Sequence, residues 1–336
     1  MSTLSDDLLR WYDTHHRSMP WREVPGPYRT WVSEAMLQQT RVETVLPYFE
    51  RFMAALPTVD ALAAAPLDQV LGLWSGLGYY SRARNLHRAA QQIVATGSFP
   101  DTVEGLEQLP GVGPYMAGAI ASIAFGRDVP TVDGNIARVL SRVHREPNTG
   151  KPIWALAAQH IPSGRAGDHN QALMDLGARI CTPRNPRCTE CPIRSACQAA
   201  QVGDIEAFPA PRRRRQSPTW RLACAIARRE GRVLLGKRPP EGLYGGLYEP
   251  PMFRVTEGGL EAGLSQGLRA MGLQVSEAHP CGQIRHILTH RVMEVHRFEV
   301  ALTGTVSPGP YAHAMWVSAS ELEGLALSTL ARKALG

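Results

Sequence analysis

Four of the six cysteines of this 336-residue chain fall within one short stretch, CTPRNPRCTECPIRSAC at 181–197, with six, two and five residues between them. The chain opens MSTLSDDLLRWYDTHHRSMPW, which has neither a charged-then-apolar leader nor a cleavage site. No apolar run approaches the ~20 residues that would cross a bilayer. A cytoplasmic location with no membrane partner is the expectation, and in that reducing compartment structural disulfides are disfavoured. Cys181, Cys188, Cys191 and Cys197 then read as ligands converging from one loop, behind a helix that ends near Ile180. Four thiolates suit tetrahedral zinc or an iron-sulfur cluster, and spacing alone does not choose between them. Cys224 and Cys281 fall at strand or loop positions and read as packing residues.

The chain changes character near residue 200. Before it, apolar residues recur at helical spacing: Val42, Val45, Leu46, Phe49, Phe52 and Met53 on one face, and Leu86, Ala90 and Ile93 on another. Thr40 and Glu43 have the spacing of a capping box, and Gly97 and Gly126 are placed to end helices. Residues 1–202 therefore read as an all-helical domain. Residues 203–219, GDIEAFPAPRRRRQSPT, form a linker by composition, whose arginine run is either solvated or a phosphate contact. After it, TWRLACAIARREGRVLLGKR predicts two strands about a turn at Glu230 and Gly231, and HRVMEVHRFEVAL alternates as a strand. Residues 220–336 thus read as a second, α+β domain. With 44% hydrophobic and 20% charged residues the chain can fill two cores, and its net charge of +6 suits a polyanionic partner.

In LPGVGPYMAGAIASIAFG, at 109–126, Gly111 and Gly113 permit a tight turn between helices, with Pro114 at the start of the second. Backbone amides at such a turn bind phosphate without reading sequence, although a plain packing corner looks the same. Eighteen residues after Tyr115, in VPTVDGNIARVL, Asp133 is placed to cap a helix. The conjunction of glycine hairpin, downstream aspartate and four-cysteine loop favours a functional reading over three separate structural ones.

Together these features resemble the helix-hairpin-helix DNA glycosylases related to endonuclease III, whose four cysteines hold a 4Fe-4S cluster. PWREVPGPYRTWVSEAMLQQT at 20–40, GLGYYSRARNLH at 76–87 and HNQALMDLG at 169–177 are similar to the adenine-specific branch of that family. The likeness is strong from about 10 to 200 and looser through KRPPEGLYGGLYEPP and IRHILTHRVMEV. It implies a multidomain protein with an all-α helix-hairpin-helix glycosylase domain and an α+β Nudix-like domain. The helical part would comprise a six-helix barrel module at about 28–132 and a cluster module formed by the N-terminal segment and 133–202. Residues 203–219 would be the linker and 220–336 the Nudix-like lesion-recognition domain. The implied activity is removal of adenine mispaired with 8-oxoguanine or guanine from double-stranded DNA, by a monomer associated with the bacterial nucleoid.

The chemistry demands particular groups. Adenine leaves readily only when it is protonated and the sugar cation behind it is stabilised, which calls for a neutral carboxylic acid and a carboxylate in different surroundings. Glu34 lies in the mostly apolar TWVSEAMLQQT, where burial raises a carboxyl pKa. The resemblance makes Glu34 the acid that protonates adenine N7. It makes Asp133 the ionised group that stabilises the oxocarbenium-like sugar, as paired carboxylates do in glycosidases. Tyr115 and Asn135 match positions around the reacting sugar, and Gly111 and Gly113 match contacts to the DNA backbone. Relatives that also cut the strand carry lysine, which forms a Schiff base, where this chain has Tyr115. A monofunctional enzyme that leaves an abasic site is therefore implied.

Reaching the base requires flipping it out of the duplex, at a cost of a few kcal/mol. By resemblance, Gln39 and Tyr79 are wedge residues, Trp21, Arg22 and Gln171 line the adenine pocket, and Thr40 and Leu77 contact the lesion side. Arg82 and Arg84 are candidate phosphate contacts. Nudix hydrolases hold Mg²⁺ with clustered glutamates on a helix. Here EAGLSQGLRAMGL has Leu268, Arg269 and Ala270 in that region, which argues against a second hydrolase and for lesion recognition. Where the family reads 8-oxoguanine with Phe-Ser-His, this chain has Leu288, Thr289 and His290; Thr289 keeps the hydroxyl. A non-catalytic damage sensor would not need both Glu34 and Asp133, and a bifunctional pyrimidine glycosylase would need lysine at 115.

Overall fold

The structure, a computed structural model, describes residues 3–211 and 217–336. Arg212 to Arg215, the arginine run of the expected linker, lie outside the described residues. The chain divides into two compact units, residues 1–64 with 85–213 and residues 65–84 with 214–336. Residues 65–84 thus group with the C-terminal half, whereas the sequence reading assigned all of 1–202 to one domain.

The first unit is helical. Its central helix, Pro114–Phe125, buries every residue from Met116 to Ser122 and packs against the helices Pro27–Leu37, Val103–Glu107 and Ala166–Arg179. An apolar helix with no polar face is what such a position requires. Gly118 lets the segment before Asp133 lie directly on it, since a Cβ there would come within 2.4 Å of the Pro130 carbonyl oxygen. The helix Gly134–His144 is strongly one-sided and buries Ile136, Val139, Leu140 and Val143 in a core shared with Leu8, Tyr12, Leu173 and Leu176. Gly97 and Gly126 both take positive φ and end their helices as expected.

Two local expectations are corrected. Helix Val42–Ala55 starts at Arg41, not at a Thr40 capping box, and has no side-chain cap. The cause is Gln39, whose φ of 58° turns the chain so that the Thr40 hydroxyl donates backward to the Gln38 carbonyl oxygen. Residues 203–211 are not free linker either. Asp204 pairs with Arg145, the Ala210 amide donates to the Pro147 carbonyl at 3.2 Å, and Phe208 lies beneath the Arg145 guanidinium.

The second unit is built on a sheet with helices on its faces. Its strands are β1 (Thr219–Arg229), β2 (Arg232–Lys237), β3 (Tyr248–Glu249), β4 (Met252–Arg254), β5 (Leu273–Leu288), β6 (Arg291–Gly304) and β7 (His313–Ser318). The order is β3-β2-β1-β6-β5, with β4 on β1 and β7 on β2. Only β1 and β6 run parallel among these pairs. Glu230 and Gly231 both have positive φ, as a tight hairpin turn needs. Leu222 to Ala227 of β1 are buried without alternation because both sheet faces are covered. One face packs on helix Leu260–Ala270 through Leu264 and Leu268, the other on helix Thr329–Leu335 through Leu330 and Ala334. Leu268, at a position where a magnesium-binding helix would be acidic, is a core residue here. Cys224 is fully buried in the same sheet, and Cys281 packs partly buried beside it. Among the described residues no helix is long and apolar enough to cross a membrane.

Candidate active site

A cavity of about 550 Å³ opens in the first unit, and Glu34, Tyr115, Asp133 and Asn135 all line it. Trp21, Arg22, Thr40 and Gln171 line it as well. Glu34 sits in the last turn of helix Pro27–Leu37 and is 5% exposed. Burial pushes its carboxyl up to about 7; the Tyr115 hydroxyl, which donates to Oε2, and the Arg22 charge oppose this, while Asp133 adds to it. Tyr115 is half-buried in the first turn of helix Pro114–Phe125, and its own hydroxyl is held well above the usual phenol range by burial and by the two carboxyl groups.

Asp133 is the N-cap of helix Gly134–His144. Its Oδ1 accepts from the Ile136 amide at 2.7 Å and its Oδ2 from the Asn135 side chain at 2.9 Å. Burial raises its pKa, and these donors together with the Arg138 charge work against that. The helix N-terminus itself favours the anion. The segment leading to Asp133 is fastened from below: Asn170, 1% exposed, donates to the Val129 carbonyl at 3.0 Å and accepts from the Thr131 amide at 3.4 Å. The Thr131 hydroxyl donates to the Tyr115 carbonyl at 2.6 Å. Arg138 holds Asn135 at 2.9 Å and donates to the Cys181 carbonyl at 2.8 Å.

Asp175 was missed in the sequence. Its side chain is fully buried and takes Arg17 at 2.6 Å and Arg22 at 2.9 Å, both of which line the cavity. Burial alone would raise this carboxyl, but the two guanidiniums hold it below its ordinary value. The signal was present in ALMDLG, an acid among apolar helical residues as in the stretch around Glu34. Trp21 is anchored edge-on against Phe49, with ring centroids 5.1 Å apart.

The remaining named residues lie elsewhere. Gln39 is exposed and lines a neighbouring groove with Tyr115 and Asp133. Gly111 has a φ of +80°, and a Cβ there would meet Asn85 at 2.6 Å. Gly113 N-caps the next helix with open space before it, so a phosphate can reach the backbone. In the second unit, Tyr79 has φ of 49° and its hydroxyl bonds that of Thr289. Tyr79, Thr289 and His290 line a cavity of about 490 Å³, whereas the Leu77 side chain is buried at 6% exposure. Arg84 also lines that cavity, but it donates to the Gly245 carbonyl at 2.7 Å, and Arg82 stacks on Trp74 and Tyr79.

The four clustered cysteines lie between helix Ala166–Arg179 and helix Gln198–Val202, all reduced and partly exposed. Burial raises Cys188, Cys191 and Cys197, and the other thiols of the set raise them further, as happens when several ionisable sulfurs share a site. Arg142, 2% exposed, points a guanidinium nitrogen at Cys181 Sγ from 3.2 Å and also bonds the Thr182 and Pro183 carbonyls. Among the described residues no three His, Cys, Asp or Glu side chains are grouped so as to hold a single metal ion. A cluster asks something different, one thiolate for each of several irons, and four thiols from one short segment beside a fixed cation fit that demand.

Comparison with known proteins agrees along the chain. Residues 32–158 match the HhH-GPD superfamily of base excision DNA repair proteins, 181–197 the iron-sulfur binding domain of endonuclease III, and 222–336 the NUDIX domain. An adenine DNA glycosylase of Rattus norvegicus is 36% identical over 396 aligned positions, covering 97% of this chain and 76% of the rat protein. The chain belongs to the adenine DNA glycosylase family. The adenine DNA glycosylase of Homo sapiens is likewise 36% identical, over 97% of this chain and 72% of its own length. The solved structure of a thermostable thymine-DNA glycosylase superposes with a TM-score of 0.55 at 28% identity, covering 59% of this chain and 95% of that one. As a family member, this adenine DNA glycosylase is a hydrolase of base excision repair, a DNA N-glycosylase whose cofactor is a 4Fe-4S cluster.

Proposed function

We propose that this enzyme hydrolyses the N-glycosidic bond of adenine mispaired with 8-oxoguanine or guanine in duplex DNA, acting on a flipped base and leaving an abasic site. The observation that carries the reading is the buried Glu34 carboxyl, shifted to about 7 and hydrogen-bonded by Tyr115 in the cavity that Asp133 also lines. A general acid works best when its pKa lies near the operating pH. Glu34 donates its proton to N7 as the bond to the sugar lengthens. Asp133, held by the Ile136 amide and the Asn135 side chain, faces the growing positive charge at the sugar carbon. One water adds there and its proton returns to the Glu34 carboxylate, giving free adenine and an abasic sugar with the acid restored. Tyr115 supplies no amine, so no Schiff base forms and the strand stays whole.

Arg17 and Arg22, fixed by Asp175, and Gln171 supply the polar wall for the adenine edge, with the Trp21 ring beside them. In the second unit, Thr289 with Tyr79 reads the opposite base through hydroxyls in place of an aromatic-serine pair. Residues 181–197 hold the cluster through Cys181, Cys188, Cys191 and Cys197. It fixes that segment, and with it the Cys181 carbonyl that receives Arg138. Single-turnover base release tests the reading on duplexes with adenine opposite 8-oxoguanine, guanine or thymine, with and without alkali. Adenine release favouring the 8-oxoguanine pair, with breaks only after alkali, is the expected result. Absence of adenine release from every duplex by cluster-loaded enzyme refutes it.

A further inference from the structure

Trp220, the second residue of β1, is half-buried against the cluster that contains Leu222, Met252 and Leu330. Two guanidiniums lie over its ring. Arg254, at the end of β4, is 4.4 Å from the ring centroid, and Arg291, at the start of β6, is 4.0 Å from it. Register brings them together: β1 runs antiparallel to β4 with Leu222 opposite Arg254, and parallel to β6 with Trp220 opposite Met293. Among the described residues neither guanidinium has a hydrogen-bond or ion-pair partner, and Arg291 Nε is shielded from water as well.

Elsewhere several clustered or buried arginines have partners of their own, backbone carbonyls and a thiol for Arg142 and an acid for others. Arg17 and Arg22 share Asp175, Arg165 bridges Asp13 and Asp168, and Arg238 has Glu249. Two cations gathered on one indole with no anion between them are an anion-binding arrangement. Stacking fixes each guanidinium plane and leaves its N–H edge available for the oxygens of a phosphate. The position is informative too, because Arg291 follows His290 and lines the same cavity as Tyr79 and Thr289.

We propose that Arg254 and Arg291, held on Trp220, grip the phosphate backbone of the DNA strand that carries the damaged base, beside the base read at Thr289. The choice of strand rests on the reading of Thr289 given above; the phosphate contact itself does not. Phosphate contacts position a protein without carrying sequence information, so these arginines set affinity and register while Thr289 sets the lesion preference.

The test is equilibrium binding of the full-length, cluster-loaded enzyme to duplexes carrying 8-oxoguanine or guanine opposite a 2′-fluorinated adenosine that resists base release. R254Q/R291Q is compared with the wild type from about 50 to 200 mM salt. Two lost phosphate contacts reduce the slope of log affinity against log salt by about 1.8, so the advantage of the wild type shrinks about twelvefold across that range. The loss is expected to be equal on both duplexes, with each single variant giving about half the change in slope. An unchanged slope with wild-type affinity overturns the proposal, and so does a loss confined to the 8-oxoguanine duplex. Thr289→Ala separates the two readings: it is expected to lose lesion preference and keep the salt slope. A wild type that binds both duplexes equally removes the lesion reading at Thr289, while the arginine slope still decides the phosphate contact.

Discussion

Replacing Tyr115 by phenylalanine keeps the ring in place and removes the hydroxyl that donates to Glu34 Oε2. That hydrogen bond favours the charged carboxylate, so it holds the Glu34 pKa below the value that burial and Asp133 would otherwise set. A hydrogen bond to a charged group contributes about 1.5–3 kcal/mol, which at roughly 1.4 kcal/mol per unit corresponds to about one to two pKa units. Glu34 starts at about 7 and is expected to titrate upward by that amount in the variant. The assay is single-turnover adenine release from an 8-oxoguanine mispair between about pH 5.5 and 9.5. On the proposed mechanism the protonated acid does the work, so the wild-type rate is expected to fall as Glu34 loses its proton on the alkaline side. In Tyr115→Phe that limb is expected to move to higher pH by about one to two units, even if the plateau rate drops. A limb that stays in place, or moves to lower pH, refutes the assignment of the titrating acid to the Glu34 that Tyr115 contacts.

Glu34→Gln is expected to abolish base release with lesion binding nearly unchanged. It also removes a pH-dependent stability term: with its pKa raised, Glu34 stabilises fully below about 4.5 and loses that contribution as pH rises through about 7, up to about 3 kcal/mol in urea melts. Asp175→Asn strands two guanidiniums and is expected to cost about 3–5 kcal/mol by urea melts at neutral pH. Because the Asp175 pKa is lowered, its contribution is present above the ordinary carboxylate range and lost as pH falls through the folded value, so the deficit of the variant narrows in acid. Gly118→Ala drives a Cβ to 2.4 Å from the Pro130 carbonyl and is expected to cost about 1–3 kcal/mol by the same melts, with base release falling more than DNA affinity because Asp133 follows that segment. Metal analysis is expected to find iron with acid-labile sulfide; one zinc without iron overturns the cluster.

Local pattern made much of this legible. The helical and strand halves follow from periodicities that neighbouring residues set among themselves, and the Glu230-Gly231 turn from two positions that tolerate positive φ. An acid inside TWVSEAMLQQT has to be either exposed or chemically unusual, and it was the family resemblance, not the stretch alone, that singled out Glu34. What was not legible is what sits beside each such group. Thr40 and Glu43 have the right spacing for a cap, but the left-handed Gln39 redirects the chain before the helix begins. Residues 65–84 form an ordinary helix and turn in sequence, and their membership of the second unit depends on remote partners, as Asp68 with Lys237 and Ser75 with Leu327 show.

The same distinction separates the two buried acids of the first unit, and it bears on function. Glu34 and Asp175 both occupy apolar helical stretches, so burial pushes both toward the neutral form. Their fates diverge because Asp175 receives two guanidiniums from residues 158 and 153 positions upstream, whereas Glu34 receives one phenol and feels a second carboxylate. One therefore remains a charged anchor, and the other stands at about 7, free to give up a proton near neutrality. Sequence marks both as anomalous, but only the fold distributes the compensating charges, and that distribution makes one carboxyl structural and the other suited to acid catalysis. The arginines on Trp220 are the reverse case. There, among the described residues, the fold gathers charge without a compensating acid, which is why the missing partner is sought in the phosphates of the substrate.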